Sequence, residues 1–208
     1  MANGIFAIPI KRLEPAVNEQ LELFESSVPV ALRDSLQQFI FGKENAPVRQ
    51  AFECVLARQA IASPLILYGA SGTGKSALSH TLIAQWFQRY PDQKTLHTTG
   101  SDFARMHARA VYTNSINEFR QKFLGVSLLI IDDLQILKTR AAAQQMLCNI
   151  IDHYQDNDHM LVACLPELPT SLSDMEDRLI SRLMGGLQIK LHPPGNDARE
   201  IIVDQLAE

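Results

Sequence analysis

The 208-residue sequence is short of the features that mark several whole classes of protein. It has no surplus of positive charge. Nineteen lysines and arginines against 23 acids leave a formal net charge of −4, which excludes a protein that coats nucleic acid generally and leaves only a local basic patch for such contact. No apolar run approaches the length of a membrane span, and the N-terminus lacks the basic-then-apolar order of a signal peptide. Cysteine is scarce. Cys54, Cys148 and Cys164 have neither metal-ligand spacing nor a disulfide framework, so they read as reduced, buried packing residues of a cytoplasmic protein. The six histidines are scattered and form no metal signature. There is no internal repeat and no low-complexity tract. What remains, 46% hydrophobic residues in a chain of ordinary domain size, is enough to bury a full core.

The most informative feature present is Gly69-Ala70-Ser71-Gly72-Thr73-Gly74-Lys75-Ser76, a complete G-x-x-x-x-G-K-[ST]. It follows an apolar run, Pro64 to Tyr68, and opens into a helical pattern from Ala77 to Phe87. In that context the glycines let backbone N–H groups approach phosphates, and the helix N-terminus adds its positive dipole end. Gly69, Ser71, Gly72, Thr73, Gly74, Lys75, Ser76 and Ala77 are therefore candidate nucleotide-binding residues. Lys75 would reach the β/γ-phosphates, and the Ser76 hydroxyl would ligate Mg²⁺. The expected ligands are ATP or ADP with Mg²⁺.

The rest of the chain alternates strands and helices. Residues 1–36 read as an extended arm, 37–195 as the globular domain, and 196–208 as the start of a further helical unit. Asn45 and Pro47 mark a helix start, with Val48, Ala51, Phe52, Val55 and Leu56 as its apolar face. Strands are expected at 64–68, 94–98, 126–131, 160–165 and 187–191, and helices at 101–111, 114–123, 174–183 and 197–206. Ser115-Ile116-Asn117-Glu118 fits a capping box, and Thr139 is placed to cap a helix running to about Tyr154. The pattern predicts a three-layer α/β fold with a parallel sheet.

The apolar run Leu128 to Ile131 ends in Asp132-Asp133, as suits the ligand crevice at the C-terminal edge of an open α/β sheet. One acid, Asp132, can hold Mg²⁺ directly or through water; the other, Asp133, can orient the attacking water. With the upstream phosphate loop, this reads as a Walker A and Walker B pair.

At this point the chain resembles the DnaA family of AAA+ ATPases, the bacterial replication initiators. Ile130-Ile131-Asp132-Asp133-Leu134-Gln135 is similar to the family's I-D-D-[IL]-Q. Phe39 to Asn45 resembles its approach to the nucleotide pocket, which adds Ile40 and Phe41 to the nucleotide-binding set. Asn114 to Arg120 resembles N-x-I-x-E-F-[KR] in the helical insertion peculiar to initiators. Glu176-Asp177-Arg178-Leu179-Ile180-Ser181-Arg182-Leu183 resembles the arginine-finger box, and this implies that Arg182 acts in trans on a neighbouring subunit's γ-phosphate. Arg178 and Arg182 lie one turn apart, a like-charge spacing that costs about 0.2–0.5 kcal/mol without an anion. From the residues alone, Asp174 and Asp177 pairing with Arg178 would explain the charges as well.

Three departures from the family accompany the match. The chain stops where the helical lid should begin, so the lid is expected to be largely absent. The first sensor position reads Ala163-Cys164-Leu165-Pro166, without a polar side chain to polarise water, which implies slow hydrolysis. After Walker B, only Arg140 remains of a basic pair, with Ala142 at the second position. The insertion carries Arg105, His107 and Arg109; with Arg140 these imply contact with single-stranded DNA, and an ordinary solvated basic face is the competing reading.

The arm holds Gln20-Leu21-Glu22-Leu23-Phe24, similar to the Q-L-[SD]-L-F peptide that docks on the replication sliding clamp. Leu21, Leu23 and Phe24 would fill an apolar pocket while Gln20 fixes the register. The alternative is an amphipathic stretch that packs on its own domain. The resemblance therefore implies an ATP-binding, slowly hydrolysing module that assembles head to tail with itself or with DnaA. Rival readings are a clamp-tethered regulator of the Hda type and a nucleotide-gated binding module with negligible turnover. A helicase loader of the DnaC type fits the Asp-Asp-Leu-Gln ending and the insertion less well.

Overall fold

The computed structural model describes residues 6–7 and 39–207. Its centre is a parallel sheet of β3 (Leu65–Tyr68), β4 (Thr95–Thr99), β5 (Leu128–Asp132), β6 (Met160–Leu165) and β7 (Leu187–Lys190), in the order β4-β5-β6-β3-β7. The inner strands β5 and β6 are buried at every residue. This is why they are continuous apolar runs rather than alternating ones: helices cover both faces.

Side-chain parity divides the core in two. Leu65, Leu67, Leu128, Ile130, Met160, Val162 and Cys164 pack under α1 (Ala46–Leu56) and α2 (Lys75–Arg89). On the other face, Ile66, Leu129, Ile131, Leu161, Ala163 and Leu165 meet α3 (Gly100–Tyr112), α4 (Ile116–Leu124), α5 (Ala141–Asp156) and α6 (Asp177–Met184). A final helix, α7, spans Asn196–Ala207. The expected three-layer α/β architecture is present, with element boundaries within a few residues of those read from the pattern. The apolar face expected for α1 is buried in full.

Two local expectations fail. Ser115 makes no capping bond to α4; its hydroxyl pairs with Thr113 Oγ1 at 2.7 Å. A capping side chain needs an extended backbone, whereas Ser115 sits at φ −107°, ψ 31° after Asn114 at φ 54°. Thr139 does not cap α5 either. It has φ 66°, and the helix begins at Ala141 with Arg140 at the cap position. The working cap is Thr99 on α3, whose hydroxyl accepts from the Asp102 amide at 3.0 Å.

In front of α1, β2 (Ile40–Phe41) pairs antiparallel with β1 (Phe6–Ala7), so two residues of the expected arm belong to a strand pair. The same segment is fastened to the chain's far end. Buried Asn45 donates to the His192 carbonyl at 3.0 Å and accepts from its amide at 2.9 Å. The Gly195 amide donates to Glu44 at 2.8 Å, and Lys43 lies 3.7 Å from Asp197 on α7. The 20–24 motif lies outside the described residues.

Candidate functional site

Parallel strands present their C-terminal ends at one edge, and both acidic and glycine-rich motifs fall there. The loop after β3 turns through two left-handed glycines, Gly72 at φ 79° and Gly74 at φ 94°. Gly74 is the N-cap of α2, and a Cβ there would come within 2.9 Å of the Phe39 ring. At Gly69 an added Cβ would meet the Leu191 carbonyl at 2.4 Å. Side chains are thus excluded at these points by packing as well as by torsion. Thr73 Oγ1 donates to the Ala70 carbonyl at 2.9 Å, bracing the loop from within. The Lys75 amine reaches back over it to the carbonyls of Gly69 at 2.6 Å and Ala70 at 2.9 Å. Ser71 and Ser76 are exposed, Ala77 is half-buried, and all lie at this turn into α2.

Beyond the loop, Asp132 is buried and uses both oxygens. Oδ1 accepts from Ser79 Oγ on α2 at 3.1 Å, and Oδ2 lies 3.0 Å from His97 Nε2 on β4. Burial pushes this carboxyl up, but the hydrogen bond and charge of His97, with help from Cys164 and Ser79, outweigh it and hold Asp132 below its ordinary value. Asp132 is therefore a carboxylate at neutral pH, an acceptor only, so His97 Nε2 carries the proton between them. His97 Nδ1 is buried without a hydrogen-bond partner, and the His80 ring stands edge-on to His97 with centroids 5.2 Å apart. Cys164 Sγ lies 3.5 Å from Ser79 Oγ; burial, then the nearby Asp132 charge, raises its pKa so that it stays a thiol.

Asp133, by contrast, is exposed, with left-handed φ 51° and Gln135 Nε2 donating to its Oδ1 at 3.2 Å. An open cleft of about 620 Å³ joins Ser76, Asp132 and Asp133 to His97, Thr99 and Arg105. A serine hydroxyl and two carboxylates form an all-oxygen set, which fits a hard ion such as Mg²⁺ that keeps several of its waters. Both Asp132 oxygens accept one hydrogen bond each, and each keeps a lone pair for the ion or one of its waters. The described residues contain no cluster of three His, Cys, Asp or Glu side chains arranged to hold a metal by themselves.

Ile40 and Phe41 are buried, and the Phe41 ring packs between Phe39 at 4.8 Å and Phe52 at 5.7 Å. Their side chains are committed to the core, so this segment offers a ligand only its backbone. On the far side, the arginine pair of α6 is not arranged as the local acids suggested. Arg182 is held bidentately by Asp152 of α5, Nε to Oδ1 at 2.6 Å and NH2 to Oδ2 at 2.9 Å, and Arg178 lies 4.0 Å from the same carboxylate.

The insertion residues separate. Arg105 is exposed at the rim of the cleft and pairs with Asp102 at 2.6 Å; Arg109 is exposed one turn on, and Arg140 is exposed at the start of α5. His107 leaves the basic face altogether. It is buried with its ring edge-on to Phe119, and burial lowers its pKa.

Sequence reasoning missed His97, Ser79 and Asp152. His97 is opposite Ile130 in the β4–β5 register, so parity puts it on the face of Asp132 two residues along. That signal exists in the sequence but needs the register to be read.

The family described as the bacterial DnaA ATPase domain matches residues 32–190. The chromosomal replication initiator protein DnaA of Levilactobacillus brevis is 27% identical over 201 residues, which cover 96% of this chain and 44% of that protein. The chain thus spans less than half the length of this relative. Domain III of the Thermotoga maritima initiator superposes with a TM-score of 0.76 at 30% identity, covering 81% of this chain and 70% of that one. A replication initiator DnaA bound to AMPPCP and single-stranded DNA gives a TM-score of 0.74 at 26% identity, over 81% and 53% of the two chains.

Proposed function

The chain belongs to the bacterial DnaA ATPase-domain family, and from that premise we propose that it binds ATP or ADP with Mg²⁺, hydrolyses ATP slowly, and acts in replication initiation or its regulation. One observation carries the reading: two left-handed glycines open α2 beneath a lysine amine already folded over the loop, with the Asp132–Asp133 pair at the neighbouring strand end. The amine exchanges its two carbonyl partners for phosphate oxygens. Ser76 and, directly or through water, Asp132 would hold the metal, which would supply charge neutralisation at the phosphates. Asp133, exposed to the cleft, orients water.

Slow turnover follows from β6. Its end places a neutral Cys164 against Ser79 and offers no polar side chain at Ala163 or Leu165 to polarise the attacking water. Arg182, on the opposite side of the fold, completes the site of a neighbouring subunit, either a second copy or DnaA. A contact between unlike faces of this kind builds a head-to-tail array. Arg105, Arg109 and Arg140 supply salt-sensitive phosphate contacts to single-stranded DNA, as fits a relative solved with that ligand. The 20–24 motif supports the second reading, a clamp-tethered regulator.

The test is a melting curve. ATP–Mg²⁺ at a hundred-fold excess over Kd stabilises a binding-competent fold by about 2.7 kcal/mol. Lys75→Ala should abolish that shift. A wild-type chain that melts identically with and without ATP or ADP refutes the proposal.

A further inference from the structure

The contact between Arg182 and Asp152 uses only one edge of the guanidinium. Asp152 takes the Nε proton and one NH2 proton, while NH1 makes a long 3.4 Å approach to the Arg178 carbonyl. Five N–H groups sit in a fixed planar fork. The carboxylate therefore occupies the side edge. The end edge, formed by NH1 and the second NH2 proton, keeps the parallel pair of donors that matches two phosphate oxygens.

The surroundings make this a mount rather than a sealed pair. The Arg182 and Asp152 side chains are 24% and 41% exposed, so the guanidinium stands at the surface. Asp152 projects from α5, whose neighbouring Cys148 and Ile151 are fully buried, so its own position is fixed by the core. An unheld arginine carries rotamer entropy that is lost when it engages a group on another molecule. A side chain already gripped has lost most of it beforehand.

We propose that Asp152 is a positioning residue for Arg182: it grips the side edge of the guanidinium and aims the end edge at the terminal phosphate of a nucleotide held by a neighbouring AAA+ subunit. This rests on the reading of Arg182 as a trans contact. It makes the salt bridge part of the working state, not an interaction that assembly must break. The opposite role, a latch that withholds the arginine, requires the carboxylate to cover the end edge, which it does not.

The two roles predict opposite signs. Self-association of the full chain is measured by sedimentation velocity with AMPPCP–Mg²⁺ and with ADP–Mg²⁺, and the ratio of the two association constants is the readout. Arg182→Ala should erase the preference for the triphosphate analogue. Asp152→Ala should reduce it by about ten-fold or more, since misplacing a reacting group by an ångström costs up to about a hundred-fold. Asp152→Glu, which can regain the bidentate grip, should restore it. Asp152→Asn keeps the volume and one acceptor, and gives an intermediate loss even if Asp152→Ala does not fold. Nucleotide affinity of the subunit's own pocket should be unchanged throughout, which a general structural defect would not spare. If Arg182→Ala removes the preference and the folded Asp152 variants keep it, the positioning role is wrong while the trans reading stands. A stronger preference in Asp152→Ala identifies a latch and overturns the proposal. Association that ignores the nucleotide in the wild type, or survives Arg182→Ala unchanged, overturns both.

Discussion

Replacing His97 with alanine isolates the interaction that organises the acidic end of the site. The His97 and Asp132 side chains are only 7% and 8% exposed, and 3.0 Å separates Nε2 from Oδ2. Removing the imidazole leaves an ionised oxygen in the interior with no donor, while Ser79 still serves its partner oxygen. Stranding a buried charge by removing its partner costs about 3–5 kcal/mol, against about 1–3 kcal/mol for a neutral unsatisfied group. The lost edge-on contact with His80 acts in the same direction. In a domain of this size each kcal/mol moves Tm by about 2–4 °C, so His97→Ala should melt roughly 6–20 °C lower. The diagnostic is the double variant. Asp132→Asn removes the stranded charge, so His97→Ala/Asp132→Asn should be more stable than His97→Ala alone, and the two changes should be strongly non-additive. Circular dichroism melts of the four proteins at pH 7.5 give the cycle. A His97→Ala protein that melts within about 2 °C of wild type, or additive effects, would refute the coupling.

Acid should weaken the fold early. Burial lowers the pKa of His80, His107 and His159 below the ordinary 6.5, reinforced by His97 at His80 and by His153 and Arg58 at His159. Below pH 6.5 the unfolded chain therefore binds protons that the folded chain resists, and stability falls with pH. The depressed Asp132 acts with the same sign lower down: its contribution is present above 3.8 and is lost as pH falls further. Melts from pH 7 to 5 should show a declining Tm, and a rise across that window would contradict the assignment. For the 20–24 motif, Leu23→Ala/Phe24→Ala should eliminate binding to the sliding clamp in a pull-down and leave ATP binding intact; loss of thermal stability without clamp binding in either form would show that the segment packs on its own domain.

What the sequence revealed depended on range. The phosphate loop and the strand carrying Asp132 and Asp133 were legible because glycine torsions, helix polarity and uninterrupted burial are local demands, written within a dozen residues. The buried strands Leu128–Asp132 and Met160–Leu165 were legible for the same reason. The His97–Asp132 pair was not, because it joins different strands and appears only once their register is known. Asp152 was hidden similarly: nearby Asp174 and Asp177 were the obvious partners of the arginines, yet helix packing brings α5 to them instead. Ser115 and Thr139 had the right chemistry for caps but the wrong backbone, since left-handed residues at Asn114 and Thr139 itself redirect the chain. Side-chain identity states what a residue can donate, not where the preceding torsion points it.

The double hydrogen bond between Asn45 and the His192 backbone has a mechanical consequence. It welds the segment after β2 to the stretch leading into α7, and Glu44 and Lys43 extend the weld to Gly195 and Asp197. A rotation of α7 therefore pulls on the Ile40–Phe41 segment, and a displacement of that segment turns α7. Such coupling is reciprocal: whatever favours one orientation of α7 favours the matching position of β2 by the same free energy. The joint works as a crank between β2 and α7: displacing either one moves the other.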